Sequence, residues 1–175
     1  MLGIAAQLFA ERGFSSVTVD DLGAAAGVSG PALYHHFDGK EALLGEMLVG
    51  ISRSLLDRAN ALLSSGKEDL LGALIEMHVD FAVDDRPLIT VHFRELVNAR
   101  DADRKRVREL QNTYVDIWVD ALVAASRDLD PRTARAAVHA ALGLMNSTPY
   151  SGRLRRDEMT AVLVTMTRAA LHSML

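Results

Sequence analysis

The sequence predicts an all-α protein of about nine helices, and three observations lead to this class. Apolar residues recur at spacings of three, four and seven along nearly the whole chain, whereas strand-like alternation is scarce. The 175 residues include only 4 prolines, which leaves few interruptions to helical periodicity. Cap residues and glycines mark the ends of successive periodic segments. Helices therefore have to supply the whole core.

The N-terminal part of the chain is predicted to form short helices, each with its own start or stop signal. Gly13 ends the first, Thr18 opens the second as the first residue of a capping box, and Pro31 occupies the first turn of the third. The predicted short helices cover residues 2–12, 18–26 and 29–36, and a long fourth helix runs from 38 to about 65.

Longer helices are predicted beyond Gly66. The sequence Asp85-Arg-Pro87 breaks one helix and restarts a shorter one, and Asp130 followed by Pro131 is typical of a capped helix start. These signals predict helices over 67–84, 102–127, 131–147 and 156–175, with a shorter one that ends at 97. The change from short to long helices places a domain boundary near residue 45, between domains 1–45 and 46–175.

Composition excludes several classes of protein. The absence of cysteine excludes disulfide scaffolds, cysteine zinc fingers and cysteine-nucleophile enzymes. No apolar run approaches the ~18 residues that cross a bilayer, and the first residues form an amphipathic pattern unlike that of a signal peptide. We therefore expect a cytoplasmic protein without a membrane partner. The net charge of −4 gives no global indication of nucleic-acid binding, so any such site has to be local.

The segment 18–40 has the pattern of a helix-turn-helix. Two short helices that meet at a tight turn bury little by themselves, and the small residues over 23–26 allow them to cross closely. The second helix would enter the DNA major groove, where Ser29, Gly30 and Pro31 leave the backbone free to approach base edges. Donors suited to phosphate oxygens are Thr18, Tyr34, His35, His36 and Lys40.

These residues carry a resemblance to a known family. The segments Phe9–Phe14, Thr18–Leu22, Ala26–Ser29, Ala32–Phe37 and Lys40–Leu43 are similar, in order and spacing, to the DNA-binding domain of TetR-family transcriptional regulators. The resemblance covers about residues 4–45, and the rest of the chain matches only in helix number and length.

The resemblance implies a function and a division of roles. Residues 29–36 would form the recognition helix, with Thr18, Tyr34, His36 and Lys40 on the DNA backbone and Gly30, Pro31 and His35 nearest the bases. The protein would be a homodimer on a palindromic operator in double-stranded DNA, joined through its last two helices. It would act as a repressor, not an enzyme, and a small molecule bound in the larger domain would release it. The chain begins three residues before Ile4, where family members usually carry a longer basic arm; either an arm precedes this start or its contact is absent.

Two further groups of residues are predicted from the longer helices. A largely apolar effector pocket with a few polar donors would draw on aromatic and methionine side chains, and a hydrophobic effector is expected. The candidates are Met77, Phe81, Phe93, Tyr114, Trp118 and Met145. The dimer interface would use the apolar stripes of the last two helices. Its candidates are Val138, Ala141, Leu142, Met145, Val162 and Met166.

Other interpretations remain open. The chain could be a helical protein without a DNA role, either a ligand carrier or an enzyme with a helical pocket, but no G-x-S-x-G elbow supports catalysis and no catalytic residue or cofactor is predicted. Neither the adjacent His35 and His36 nor the pair His92 and Glu95 makes a convincing metal site. The basic run 104–108 could bind a phosphate-bearing ligand, but neighbouring acids favour a solvated helix face.

The charge of the predicted DNA-binding segment is unusual. Residues 1–46 contain two cations, Arg12 and Lys40, against six acidic residues. Binding would therefore depend on helix N-termini and neutral donors, with Lys40 as the main point charge.

Overall fold

The computed structural model describes residues 1–27, 37–126, 128–151 and 154–175, and every regular element in these ranges is helical. The prediction of an all-α fold is confirmed. The α-helices are α1 (Leu2–Arg12), α2 (Val19–Ala26), α3 (Lys40–Ser64), α4 (Leu70–Asp84), α5 (Arg86–Glu95), α6 (Asp101–Ala125), α7 (Pro131–Met145) and α8 (Arg156–His172), with 3₁₀ turns at Phe14–Ser16 and Leu96–Asn98. The predicted helix over 29–36 lies outside the described residues.

Local hydrogen bonds explain the helix boundaries. Thr18 Oγ1 accepts from the Asp21 amide at 3.1 Å, and Asp21 accepts from the Thr18 amide at 2.8 Å, so the shorter aspartate still closes the capping box. Asp130 accepts from the amides of Arg132 and Thr133 ahead of α7. Gly13 ends α1 at φ 79°, a left-handed backbone that favours glycine.

The chain packs into two compact units. The first comprises residues 1–53 and 87–109, and the second comprises 54–86 and 110–175. Packing therefore divides the chain differently from the predicted boundary at residue 45. The physical reason is that Val91, Ala99 and Val107 are buried in the same apolar cluster as Phe9 and Leu44.

A close approach of two helices forms part of the first unit. Gly45 on α3 lies against Asp103 on α6, where a Cβ atom on residue 45 would overlap the carboxylate. Only glycine permits this spacing without a shift of the neighbouring side chain. The contact brings the start of α6 onto the helix that follows the predicted recognition segment.

The second unit has a core around the fully buried Trp118. Within this unit α8 packs on α4, and its arginines bridge to acidic residues of α4 and the cap before it. Arg156 donates to Asp80 at 3.1 Å and to both carboxylate oxygens of Asp84 at 2.7 Å. Arg168 makes equivalent bonds to Asp69 and Glu76 at 3.0 Å. These exposed pairs align two helices whose buried faces supply most of the stabilisation.

None of the helices in the described part of the chain combines the length and apolar character needed to cross a membrane.

Candidate nucleic-acid interface and buried polar cluster

The described part of the predicted helix-turn-helix is a small scaffold with its own core. Phe9 and Phe14 pack with ring centroids 5.3 Å apart, and Val17 and Leu22 are buried beside them. This core holds the turn between α1 and α2 and so sets the direction of Thr18. Gly27, in the left-handed region at φ 70°, then ends α2.

Thr18 is already engaged within this scaffold. Its hydroxyl donates to Asp21 Oδ2 at 2.6 Å, and its amide donates to the same oxygen. These hydrogen bonds lower the pKa of Asp21, which keeps the acceptor charged. A DNA phosphate would have to compete with Asp21 for either donor of Thr18.

Lys40 has a role that differs from the predicted one. Its Nζ donates to the carbonyl oxygens of Phe14 at 2.9 Å and Val17 at 3.0 Å, and it lies 4.5 Å from the centre of the Phe14 ring. The ammonium thereby ties the first residue of α3 to the turn before α2. Two of its three protons are used inside the protein, so Lys40 also has a structural role, and its contact with phosphate stays a prediction.

The predicted base-reading and adjacent contact residues lie outside the described residues; they are Ser29, Gly30, Pro31, Tyr34, His35 and His36. The structure describes the chain on both sides of them. Phe37 packs against the core of the first unit, and α3 begins three residues later.

Sequence reasoning missed the residues that α5 and the turn after it bring to this scaffold. Arg94 Nη1 donates to the Ala10 carbonyl at 3.4 Å, and Arg100 Nη2 donates to the Asp38 carbonyl at 2.8 Å. Glu95 is buried, and its Oε2 accepts from Asn98 Nδ2 at 2.8 Å. The arginine contacts join positions 84 and 62 residues apart, so no local pattern could have indicated them.

The histidine of the suggested pair with Glu95 has an apolar setting. Burial lowers the pKa of His92, and its ring lies against Phe93 with centroids 5.7 Å apart. Among the described residues, no three histidine, aspartate or glutamate side chains converge as metal ligands.

A buried polar cluster lies in the second unit. His78 Nδ1 is 2.9 Å from Tyr114 Oη, and His78 Nε2 is 3.1 Å from Asn146 Oδ1. Burial lowers the pKa of His78 to about 4, so the ring is neutral near pH 7. Because Asn146 Oδ1 can only accept, Nε2 carries the proton of the neutral ring and Nδ1 accepts from Tyr114. Burial also raises the pKa of Tyr114, which keeps its hydroxyl protonated.

Most predicted effector residues surround this cluster. Tyr114 and Trp118 make ring contacts with His78 at 5.9 and 6.1 Å, Phe81 does so at 5.8 Å, and Met77 and Met145 are buried in the same unit. Trp118 Nε1 is one of three buried side-chain atoms in the described ranges that make no hydrogen bond of normal geometry, together with the hydroxyl oxygens of Thr160 and Thr167.

Phe93 does not join the predicted set. It belongs to the first unit and is 58% exposed, and its part in an effector pocket stays a prediction. His78 and Asn146 were missed, although a histidine on the apolar face of a helix was a visible signal. Asn146 carried no such signal.

The predicted dimer residues fall into two groups. Val138, Ala141 and Met145 are buried in the core of their own unit and offer no surface to a partner, which corrects that part of the prediction. Leu142 is half-buried, and Val162 and Met166 on α8 are 42% and 52% exposed. The stripe of Val138, Ala141 and Met145 therefore belongs to the core, whereas Val162 and Met166 retain apolar surface that a second chain could cover.

Comparison with known proteins returns matches to two family profiles. Residues 2–47 match the profile described as bacterial regulatory proteins, tetR family. Residues 64–171 match the tetracyclin repressor-like, C-terminal domain.

Individual relatives agree with these profiles. The chain is 33% identical over 132 residues to the HTH-type transcriptional repressor KstR2 of Rhodococcus jostii, a match that covers 73% of this chain. The match covers 64% of that protein, so it spans less than two thirds of the relative's length.

Solved structures share the fold. The ketosteroid transcriptional regulator KstR2 of Mycobacterium tuberculosis superposes with a TM-score of 0.81 at 23% identity, over 98% of this chain and 91% of that chain. AibR in complex with isovaleryl coenzyme A and operator DNA gives a TM-score of 0.71 at 21% identity, over 94% of each chain.

Proposed function

This chain belongs to the TetR family of bacterial regulatory proteins, and we propose that it is a dimeric transcriptional repressor released from its operator by a hydrophobic small molecule. The pair of profile matches, over 2–47 and 64–171, carries the proposal. The helix-turn-helix scaffold agrees with it: Thr18 caps α2, and Lys40 ties α3 to the turn before α2. Such a repressor is not an enzyme, and it acts in the cytoplasm, where the chromosome lies.

Residues 1–45 form the DNA-binding part in this proposal. Ser29–His36 would enter the major groove, and two copies of the chain would read the halves of a palindromic site about one helical turn apart. The core of Phe9, Phe14 and Leu22, which holds α2 in place up to Gly27, supports this arrangement.

Selection of DNA from a randomised duplex library, followed by titration of the selected sequence, tests this part. A saturable shift that depends on sequence, and a selected site with two-fold symmetry, are the expected results. Absence of any sequence-dependent binding would favour the alternative of a helical carrier or enzyme without a DNA role.

The effector site is proposed at the buried polar cluster of the second unit. Apolar side chains surround His78, Tyr114 and Trp118, which favours a mostly apolar ligand over a sugar or a metal ion. An acceptor oxygen on the ligand would satisfy Trp118 Nε1, one of three buried polar side-chain atoms in the described ranges that make no hydrogen bond of normal geometry. The related solved proteins support this class, since one is named a ketosteroid regulator and another was solved with isovaleryl coenzyme A.

Tryptophan fluorescence provides the test, because Trp118 is the single tryptophan. An apolar ligand with a carbonyl or carboxyl group should change its emission and release DNA over the same concentration range. If Trp118→Phe left ligand-induced DNA release at the same ligand concentration, the ligand would bind elsewhere.

Release follows from a shift between two populations of the dimer. In one of these arrangements of the dimer, the two recognition helices no longer match successive major grooves. A ligand that binds this arrangement more tightly shifts the population towards it. The dimer itself is proposed through Leu142, Val162 and Met166, the predicted interface residues that retain exposed surface.

A further inference from the structure

The predicted DNA-binding segment lacks free positive charge. Its two cations are Arg12 and Lys40. Arg12 lies 3.8 Å from Asp21, and Lys40 donates to two backbone carbonyls. A protein that binds DNA gains affinity by bringing cations to phosphates and releasing counterions. Within this chain, further cations for the DNA-binding segment would therefore come from residues outside 1–46.

The residues that follow α5 bring a cation to the required place. Arg100 Nη2 donates to the carbonyl oxygen of Asp38 at 2.8 Å, and the Arg100 side chain is exposed. Asp38 follows the predicted recognition helix by two residues and precedes the start of α3 by two. The guanidinium thus lies beside the turn that joins the DNA-reading segment to α3.

The charge of Arg100 is available, whereas Arg104 and Arg106 are paired. Arg104 pairs with Asp101 and also donates to the carbonyls of Val97 and Ala99, and Arg106 pairs with Glu109 at 3.2 Å. No carboxylate of the described ranges lies within ion-pairing distance of Arg100. Its bond to a neutral carbonyl orients the planar group and leaves further N–H donors for an anion.

We propose that Arg100 contacts a DNA phosphate next to the recognition helix, as a nucleic-acid-binding residue supplied from outside the helix-turn-helix. The proposal rests on the proposed function, because it requires that the chain binds DNA. Two copies of the chain would place two such guanidinium groups on one operator. The bond to Asp38 presents each group in a fixed orientation, which reduces the entropy lost on binding phosphate.

Salt dependence distinguishes a phosphate contact from an indirect role. Fluorescence anisotropy with the selected duplex, measured over a range of KCl concentrations, gives the slope of log K against log salt. Each lost phosphate contact changes that slope by about 0.9, so Arg100→Gln should flatten it by about 2 for a dimer. The same loss of counterion release predicts that Arg100→Gln binds the duplex roughly 10- to 100-fold more weakly than the wild type at about 0.1 M salt.

Three further variants complete the experiment. Arg100→Lys keeps the charge and should keep most of the slope, whereas Arg100→Glu should flatten it at least as much as Arg100→Gln. Arg108→Gln is the matched control, since it removes one exposed cation from the same unit and, among the described residues, only Arg100 of the two donates to Asp38. Its slope should equal that of the wild type. Circular dichroism melting shows whether each variant is folded.

Several results would overturn the proposal. Equal flattening by Arg100→Gln and Arg108→Gln would mean that only the long-range field of the protein matters. A loss of affinity by the same factor at every salt concentration would mean that Arg100 acts only by holding Asp38. Unchanged binding would place Arg100 away from the DNA while leaving the proposed function intact, whereas a wild-type protein that binds no DNA would overturn both.

Discussion

Lowering the pH is expected to weaken the protein through the buried imidazole of His78. Its pKa is about 4 in the folded protein, against 6.5 for an unperturbed histidine, because burial disfavours the charged ring. The unfolded chain takes up a proton below about pH 6.5, whereas the folded protein stays neutral at this site to about pH 4. The stability contributed by the neutral ring is therefore complete above pH 6.5 and is lost progressively as the pH falls towards 4.

The size of this effect follows from the two pKa values. Their difference corresponds to about 3 kcal/mol of unfolding free energy by pH 4, of which about 2 kcal/mol is lost by about pH 5. Burial of the ring is the main structural cause, and the positive charge of Arg58 acts in the same direction. The hydrogen bond from Nε2 to Asn146 Oδ1 opposes it, because an acceptor favours the protonated ring.

Urea unfolding of the wild type and of His78→Gln, followed by circular dichroism between about pH 7 and pH 5, measures this effect. Burial also lowers the pKa of His92, but His92 is present in both proteins. Its contribution, like that of every other group the two proteins share, cancels in the difference between their free energies of unfolding. The stability advantage of the wild type should shrink by about 2 kcal/mol over this range. If both proteins lost stability in parallel, His78 would not be held neutral and the argument from burial would fail.

Three other predictions concern single contacts. Gly45→Ala should lower the free energy of unfolding, measured by urea titration, by about 1–3 kcal/mol, because the new methyl group overlaps Asp103. Gly50 faces open space in the same helix, so Gly50→Ala should raise the free energy of unfolding by about 0.5–1 kcal/mol. Lys40→Met should lower the stability of the first unit by about 2–4 kcal/mol, because two charge-assisted hydrogen bonds are lost. The slope of log K for DNA binding against log salt should be almost unchanged. A flattened slope would mean that Lys40 contacts a phosphate. Val162→Glu combined with Met166→Glu should give a folded monomer in sedimentation velocity, and a dimer that persisted would place the interface elsewhere.

The sequence by itself determined the helices and their ends. Thr18 caps α2 and Asp130 caps α7 through bonds to residues no more than three positions away, so the information for them is local. The same holds for Gly13, which ends α1 at the predicted residue. The order and spacing of the short N-terminal motifs also sufficed to indicate the family.

Only the tertiary structure decided which helical faces meet. Val138 and Val162 both belong to apolar stripes, but one is buried in its own unit and the other is exposed. Arg100 reaches Asp38 across 62 positions, and His78 reaches Asn146 across 68. Helical periodicity shows that a face is apolar or that a cation is present, but not which partner covers it, because that choice depends on the packing of helices distant in the chain.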